Sequence, residues 1–325
     1  MTADSRDLIG QATATELEAP QAWSSEDEAA LIEAVAALER TSFATRIGDV
    51  VGRQIGLAGE LIPAGVAGAA NAAAGKALTF AMRAARTTLS GSKRSASPRL
   101  HTAAVAASGA IGGAFGLATL PLELPISTTL ILRSIGDIAR QEGEDLTLPE
   151  TELSCIEVFA LGTGQDHVPF GESSYFATRT VLAGSISEAA RYILRRGIIE
   201  ETAPVVLRLF AQVAARFGLV VTQKVIAQSV PVIGAITGAA INAAFMDHYQ
   251  KLARGHFVVR RLERRYGAAA VRAAYERARV RTATDAETPG RPQTKPLPEG
   301  GPGLRRPRTI GGRLSVEASP GIEPG

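Results

Sequence analysis

The chain is poor in the residues from which most catalytic and metal centres are built. It has one cysteine, Cys155, and four histidines, His101, His167, His248 and His256, among 325 residues. A lone cysteine forms no intramolecular disulfide. Cys155 lies in the apolar run LSCIEVFAL, which suits a buried thiol and is compatible with a reducing cytosol. No H-E-x-x-H and no C-x-x-C pair is present, so no metal site is expected and no cofactor is implied. There is no G-x-S-x-G elbow. The nearest approach to a phosphate loop, GAANAAAGKA from Gly68, has six residues between its glycines and Ala77 where Ser or Thr is required; it reads as helix. Aromatics are 5% of the chain, few for stacking bases. No stretch alternates with period two between hairpin turns, which argues against a sheet, and no repeat of fixed length is visible. The first residues, MTADSRDLIGQ, hold no basic and then apolar region, so no secretory leader is expected. Thr2 stands where myristoylation needs glycine and the sequence shows no CaaX box, so no lipidation is expected from these signals.

What the chain does have is alanine, valine, leucine and isoleucine, with 46% hydrophobic residues in all and a net charge of only +3. The charge is unevenly placed. Residues 1–40 carry nine acidic and two basic side chains, whereas residues 251–325 carry sixteen basic and seven acidic. Residues 1–23 are polar and aperiodic. The last 43, from Ala283, hold eight prolines and eight glycines. Both ends lack the apolar surface needed to offset chain entropy and are expected to be disordered. Between them, 24–282 reads as one domain, helical almost throughout. An S-x-x-E capping box, Ser25 with Glu28, precedes Leu31, Val35 and Leu38. Helices are predicted over 64–88, 101–119, 125–141, 149–161, 172–184, 187–196, 204–229, 231–253 and 256–281. Pro125, Pro149, Pro204 and Pro231 fall at their first positions. The fold class is therefore all-α: a multi-helix bundle with closely packed Ala/Gly-rich central helices.

Two uncharged segments, Thr102–Leu122 and Val225–Met246, are long enough to cross a bilayer. Their composition is not that of an efficient span, because small and polar residues replace Leu, Ile and Phe. Gly112 with Gly116, and Gly234 with Gly238 and Asn242, recur at four-residue spacing. Such stripes let helix backbones approach closely. Core packing is favoured, with membrane insertion as the alternative.

Candidate polar residues follow. Glu123, just ahead of Pro125, is placed to cap the next helix. Arg133 and Asp137 form an i,i+4 pair on that helix's polar side; the sharper reading makes Arg133 an anion site. The loop 161–176 sets Asp166 beside His167 and ahead of Glu172, a conceivable acid/base pair whose plainer reading is a glycine-rich connection. Tyr175 and Arg179, one turn apart, suit packing and hydrogen bonding. Near the end, Arg260, Arg261, Arg264, Arg265, Arg272 and Arg279 fall on one arc of a helix continuing through Gly267. Val258, Leu262 and Tyr266 lie on the neighbouring arc. Arginine's planar fork suits phosphate. The face is read as solvated, as docking to an anionic membrane, or as binding nucleic acid; the last lacks any recognised motif.

Four blocks together carry a resemblance: ELPISTTLILRSIGDIARQEG; E-S-S-Y-F-x-x-R with Glu172, Tyr175, Phe176 and Arg179; PVIGAITGAAINAAF; and HFVVRRLERRYG. The chain resembles the EcsC family over roughly residues 25–267. The resemblance implies a helical fold and a bacterial protein associated with a membrane transporter; the family takes its name from a protein encoded beside an ABC transporter and has no established activity. The expected function is that of a non-enzymatic accessory protein, cytoplasmic and peripheral at the inner face of the membrane. It would dock by the arginine ridge to an anionic surface or to a transporter partner. The alternatives are an enzyme or small-ligand binder with a buried polar site at Glu123, Arg133, Tyr175, Arg179 and Asn242, and nucleic-acid binding by the basic helix.

Overall fold

The computed structural model describes residues 22–40, 43, 66–89, 102–106, 120–162, 173–196, 203–229 and 234–287. The chain divides into two compact units, Met1–Glu287 and Thr288–Gly325, and every described residue belongs to the first. Residues 1–21 and 288–325, which hold most of the expected tails, lie outside the described residues.

The fold is an all-α bundle, with no strand among the described residues. Its helices are α1 (Ser25–Arg40), α2 (Val66–Leu89), α3 (Leu120–Gln141), α4 (Pro149–Glu157, continued by a 3-10 turn, Val158–Ala160), α5 (Ser174–Arg196), α6 (Pro204–Ser229), α7 (Gly234–Tyr266) and α8 (Ala268–Glu287). α2 packs between α3 and α6, and α1 lies along α7. α4 bridges α3 and α5, and α8 folds back on α1 and α7.

The helix limits follow local chemistry. The Ser24 hydroxyl accepts from the Asp27 N–H at 3.1 Å and caps α1. The cap thus sits one residue ahead of the expected Ser25, and Leu31, Val35 and Leu38 then face the core, as their spacing requires. Pro149 and Pro204 open α4 and α6 as expected. Pro125 does not open α3. The helix begins at Leu120 and carries Pro125 inside its second turn, where the missing N–H deprives only an early carbonyl. Predicted breaks near 185 and 254 are absent, because α5 and α7 run through them. The break falls instead at Gly267, at φ 84°, a left-handed value that glycine adopts without strain. The basic helix predicted to continue through Gly267 is therefore two helices, and α8 runs on to Glu287, past the expected edge at 282.

The core is centred on interlocked rings. Phe159 lies 4.9 Å from both Phe217 and Tyr249, and Phe245 lies 5.3 Å from Tyr249. Tilted and edge-on contacts of this kind add to the burial that drives packing. Two described glycines sit at close helix contacts. At Gly218 on α6, a Cβ would stand 3.1 Å from the Asn71 Cα and collide with the Asn71 side chain. At Gly255 on α7, it would press on Leu38 and the Ala34 carbonyl of α1. Gly238 is buried and Gly234 begins α7, while Gly112 and Gly116 lie outside the described residues.

Candidate functional site

One polar cluster among the described residues is a buried seam between α5 and α7. At the start of α5 the chain presents Ser173, Ser174 and Tyr175, and Glu39 from α1 sits against them. Its carboxylate accepts from the Ser173 hydroxyl at 2.5 Å, the Ser174 hydroxyl at 3.1 Å and the Tyr175 N–H at 3.5 Å. An anion at a helix start answers both the free N–H groups and the dipole. One step deeper, Tyr175 Oη lies 3.1 Å from His256 Nδ1, and Arg179 donates to the same Oη at 3.3 Å. Arg179 grips Glu263 with both terminal nitrogens, at 2.8 and 3.0 Å, a two-point pairing that fixes orientation as well as charge. Beyond His256, Glu157 Oε2 lies 3.8 Å from Nε2.

The charge states follow from enclosure. Burial pushes the Glu157 carboxyl up to about 7, with Arg179 and Arg260 pulling against it and Glu263 adding to it. Burial also pushes His256 well below the usual imidazole range, reinforced by the charges of Arg179 and Arg260. Glu157 and His256 are thus neutral together over a range of pH and form no ion pair. Burial raises the Tyr175 phenol. The cluster can hold a proton on Glu157, beside the uncharged His256. Tyr175 is 2% exposed and His256 fully enclosed.

The Tyr175–Arg179 pair is present as expected. The other three proposed members of a polar site are elsewhere. Glu123 does not cap a helix: it lies inside α3 and takes a 2.8 Å bond from Lys224 on α6. Both side chains are essentially out of water, and the Lys224 ammonium rests 4.8 Å over the Phe245 ring. Burial lowers the Lys224 pKa, and Glu123 opposes that shift. Asn242 donates to the Val105 carbonyl at 3.1 Å. Arg133 is half-buried and its Nε finds no hydrogen-bond partner among the described residues. The i,i+4 pair with Asp137 expected for Arg133 gives way to an Arg140–Asp137 bridge at 2.8 Å. Asp166, His167 and Glu172 lie outside the described residues. Two open grooves flank α1, of about 760 Å³ against α8 and 450 Å³ against α7. None of Glu123, Arg133, Tyr175, Arg179 and Asn242 lines either one.

The arginine ridge expected to stand free is largely folded against carboxylates. Arg260 holds Glu144 at 2.9 and 3.1 Å, and Arg264 joins it on the same carboxylate. Arg261 bridges Glu142 at 2.8 Å and Asp27 at 3.0 Å, and Arg265 reaches Asp27 at 2.9 Å. Tyr266 donates to Asp27 at 2.7 Å and stacks on Trp23. Burial alone would raise the Asp27 carboxyl, but the bonds from Tyr266, Ser24 and Arg261 and the charge of Arg265 hold it below the ordinary range. Glu144 behaves alike: burial acts upward, and Arg260 and Arg264 bring it down. Of the remaining two, Arg279 pairs with Glu276 on its own helix, and Arg272 lies 5.2 Å over the Phe176 ring. Sequence reasoning missed Glu39, Lys224, His256 and the acidic α3–α4 turn. Only the last carried a visible signal, three acids in QEGEDL.

Cys155 is buried, and enclosure together with the Glu144 charge raises its thiol pKa, so it is an inert core residue.

The geometry defines a class: an all-α bundle closed by an inward-facing arginine clasp and a Tyr–His–Glu seam. Within that class the chain belongs to the EcsC protein family, whose pattern matches residues 13–262. No curated protein matches the chain, and no solved structure matches it. The blocks ESSYF-x-x-R and HFVVRRLERRYG, far apart in sequence, face each other across the seam through Tyr175–His256 and Arg179–Glu263.

Proposed function

We propose that the protein is a non-enzymatic helical accessory protein that works at a membrane and meets the bilayer through apolar helix surface. The observation that carries this is the outward stripe of α6. Within Pro204–Ala227 an 18-residue window reaches a mean hydropathy of 1.7 and the segment is long enough to cross a bilayer, yet only half of that window is buried. Its exposed positions are Pro204, Leu207, Arg208, Ala211, Ala215 and Leu219, with Arg208 the single charged one. A solvated helix face ordinarily carries several charges. An apolar outward face is the surface that a lipid interface or a membrane partner covers. Phe80 on α2 and Leu122 on α3 are exposed as well.

The arginine ridge is a weaker membrane contact than its sequence implies, since Arg260, Arg261, Arg264 and Arg265 are already paired with carboxylates. What supports a scaffold over an enzyme is that Glu39, Tyr175, Arg179 and Glu263 are bonded within the seam, while the buried His256 Nε2 finds no hydrogen-bond partner among the described residues. A transporter remains the proposed protein partner, and the cytoplasmic face the proposed location, both by family association. The test is flotation with neutral and anionic vesicles at low and high salt, beside fractionation of expressing cells. Binding to both vesicle types that survives salt and yields to detergent is expected. A chain that stays off both vesicles and in the cytosolic fraction would refute the reading.

A further inference from the structure

The family match ends at residue 262, inside α7, so α8 lies wholly beyond it. Yet α8 completes the surface over the seam. Tyr275 stacks on Tyr175 at 5.6 Å, meets Phe176 edge-on at 5.0 Å, and donates its hydroxyl to Glu39 at 2.9 Å. Arg272 lies over Phe176. α8 buries only a narrow stripe, Val271, Tyr275 and Ala278, spaced by four and three. The other side chains described over 268–284 are half-buried or exposed.

Its attachment is slender. One residue, Gly267, separates α8 from α7 in a left-handed conformation with open space around it. The ion pair to Glu28, through Arg281, is 3.8 Å long with both side chains 60% exposed, a contact of little strength. The groove along the α1–α8 junction, lined by Trp23, Leu31, Ile32, Ala274 and Val280, shows that α8 leaves apolar surface uncovered.

The receiving surface has a definite chemistry. Tyr175 and Phe176 form an aromatic wall, Glu39 offers a carboxylate at its edge, and α1 adds the exposed Glu28 on the α8 side. Aromatic faces and carboxylates together favour arginine and a hydroxylated ring. α8, with its aromatic at 275, arginines at 272, 277 and 281 and small residues between, matches that preference. We propose that the surface of α1, α5 and α7 around Phe176 and Glu39 is a docking groove for a basic amphipathic helix of a partner protein, and that α8 occupies it in cis as a tethered, displaceable ligand. A partner helix presenting an arginine three residues before an aromatic takes the place of α8, which pivots at Gly267.

A short tether gives the cis helix an effective concentration on the order of millimolar. The trans site therefore shows itself only when the cis contact is weakened. The probe is a dye-labelled peptide copying residues 268–287, titrated against the unaltered full chain and against the full chain carrying Val271→Ala and Tyr275→Ala. Binding to the variant on the order of a hundredfold tighter than to the unaltered chain is expected, and a peptide lacking the Tyr275 ring should not compete. Trp23, the single tryptophan, stacks on Tyr266 beside the groove and should report occupancy by fluorescence. A folded variant that binds no peptide, or equal binding to both chains, overturns the proposal. Should the variant not fold, hydrogen exchange on the unaltered chain decides: α8 must open as a unit about tenfold faster than residues 241–262, and exchange at one common rate overturns it. A dimer of the unaltered chain that the peptide dissolves would put a second copy's α8 in the groove and overturn the foreign partner.

Discussion

Lys224 and Glu123, 101 residues apart in sequence, meet at 2.8 Å with neither side chain in contact with water. The Lys224 ammonium has left its hydration shell for the Glu123 carboxylate and the Phe245 ring face. In such a pair the mutual attraction roughly offsets desolvation, while loss of one partner strands the other. Glu123→Gln or Lys224→Met alone is expected to lower unfolding stability by about 3–5 kcal/mol in denaturant titration. The double change Glu123→Leu with Lys224→Met should recover most of that. A double variant as unstable as the sum of the singles would refute the account.

The seam gives the fold a pH dependence of definite sign. Glu157 has its folded pKa raised to about 7 from 4.5. Its contribution is fully present below 4.5 and is lost as pH rises through about 7. Glu157→Gln is therefore expected to flatten the fall in melting temperature between about pH 5 and 8. Asp27 and Glu144 act on the other side. Their folded pKa values are depressed, so their contribution holds above the ordinary carboxylate range and disappears as pH drops through the lowered values. An unchanged profile in Glu157→Gln would show that the carboxyl is ionised in the fold.

Asp27 accepts from Arg261, Arg265 and Tyr266 at once. Asp27→Asn should cost about 2–3 kcal/mol, since bonds to a charged group are worth more than neutral ones. It should also release the arginines. Vesicles of anionic lipid should then retain the variant more than the parent at low salt, with the gain removed by high salt. Equal retention would mean the arginines remain turned inward.

Gly218 and Asn71 set the spacing of α2 and α6. Gly218→Ala is expected to destabilise by about 1–3 kcal/mol through overpacking, as read by thermal melts. Because the Asn71 side chain takes the first collision, adding Asn71→Ala should relieve part of the loss, while the 3.1 Å approach of its Cα keeps the rest. Full recovery would show that the two backbones have room to spare.

How much of this was legible in the sequence depended on distance along the chain. Tyr175 and Arg179 lie one turn apart, and the wheel alone pairs them. Leu31, Val35 and Leu38 repeat at helical spacing and face inward. The wheel also gathers Arg260, Arg261 and Arg264 on one arc, but a wheel describes one helix and says nothing of what its arc meets. Asp27 is 234 and 238 residues away from its two arginines. Glu123 looked like a cap because Pro125 looked like a helix start; its true partner is on another helix. Gly267 was passed over because the basic pattern continues across it. Its backbone angle, rather than its composition, makes it the break.

The clasp has a consequence for how the chain comes into being. α1 leaves the ribosome long before α7, carrying Leu31, Val35 and Leu38 and the acid that matches the later helix. Its mates at Arg261 and Arg265 are not made until 234 and 238 residues later. Through most of synthesis that early helix has nowhere native to rest. A stalled or clipped nascent chain would present an apolar, acidic helix to whatever chaperone stands at the tunnel exit, and only the late arrival of α7 takes it out of reach.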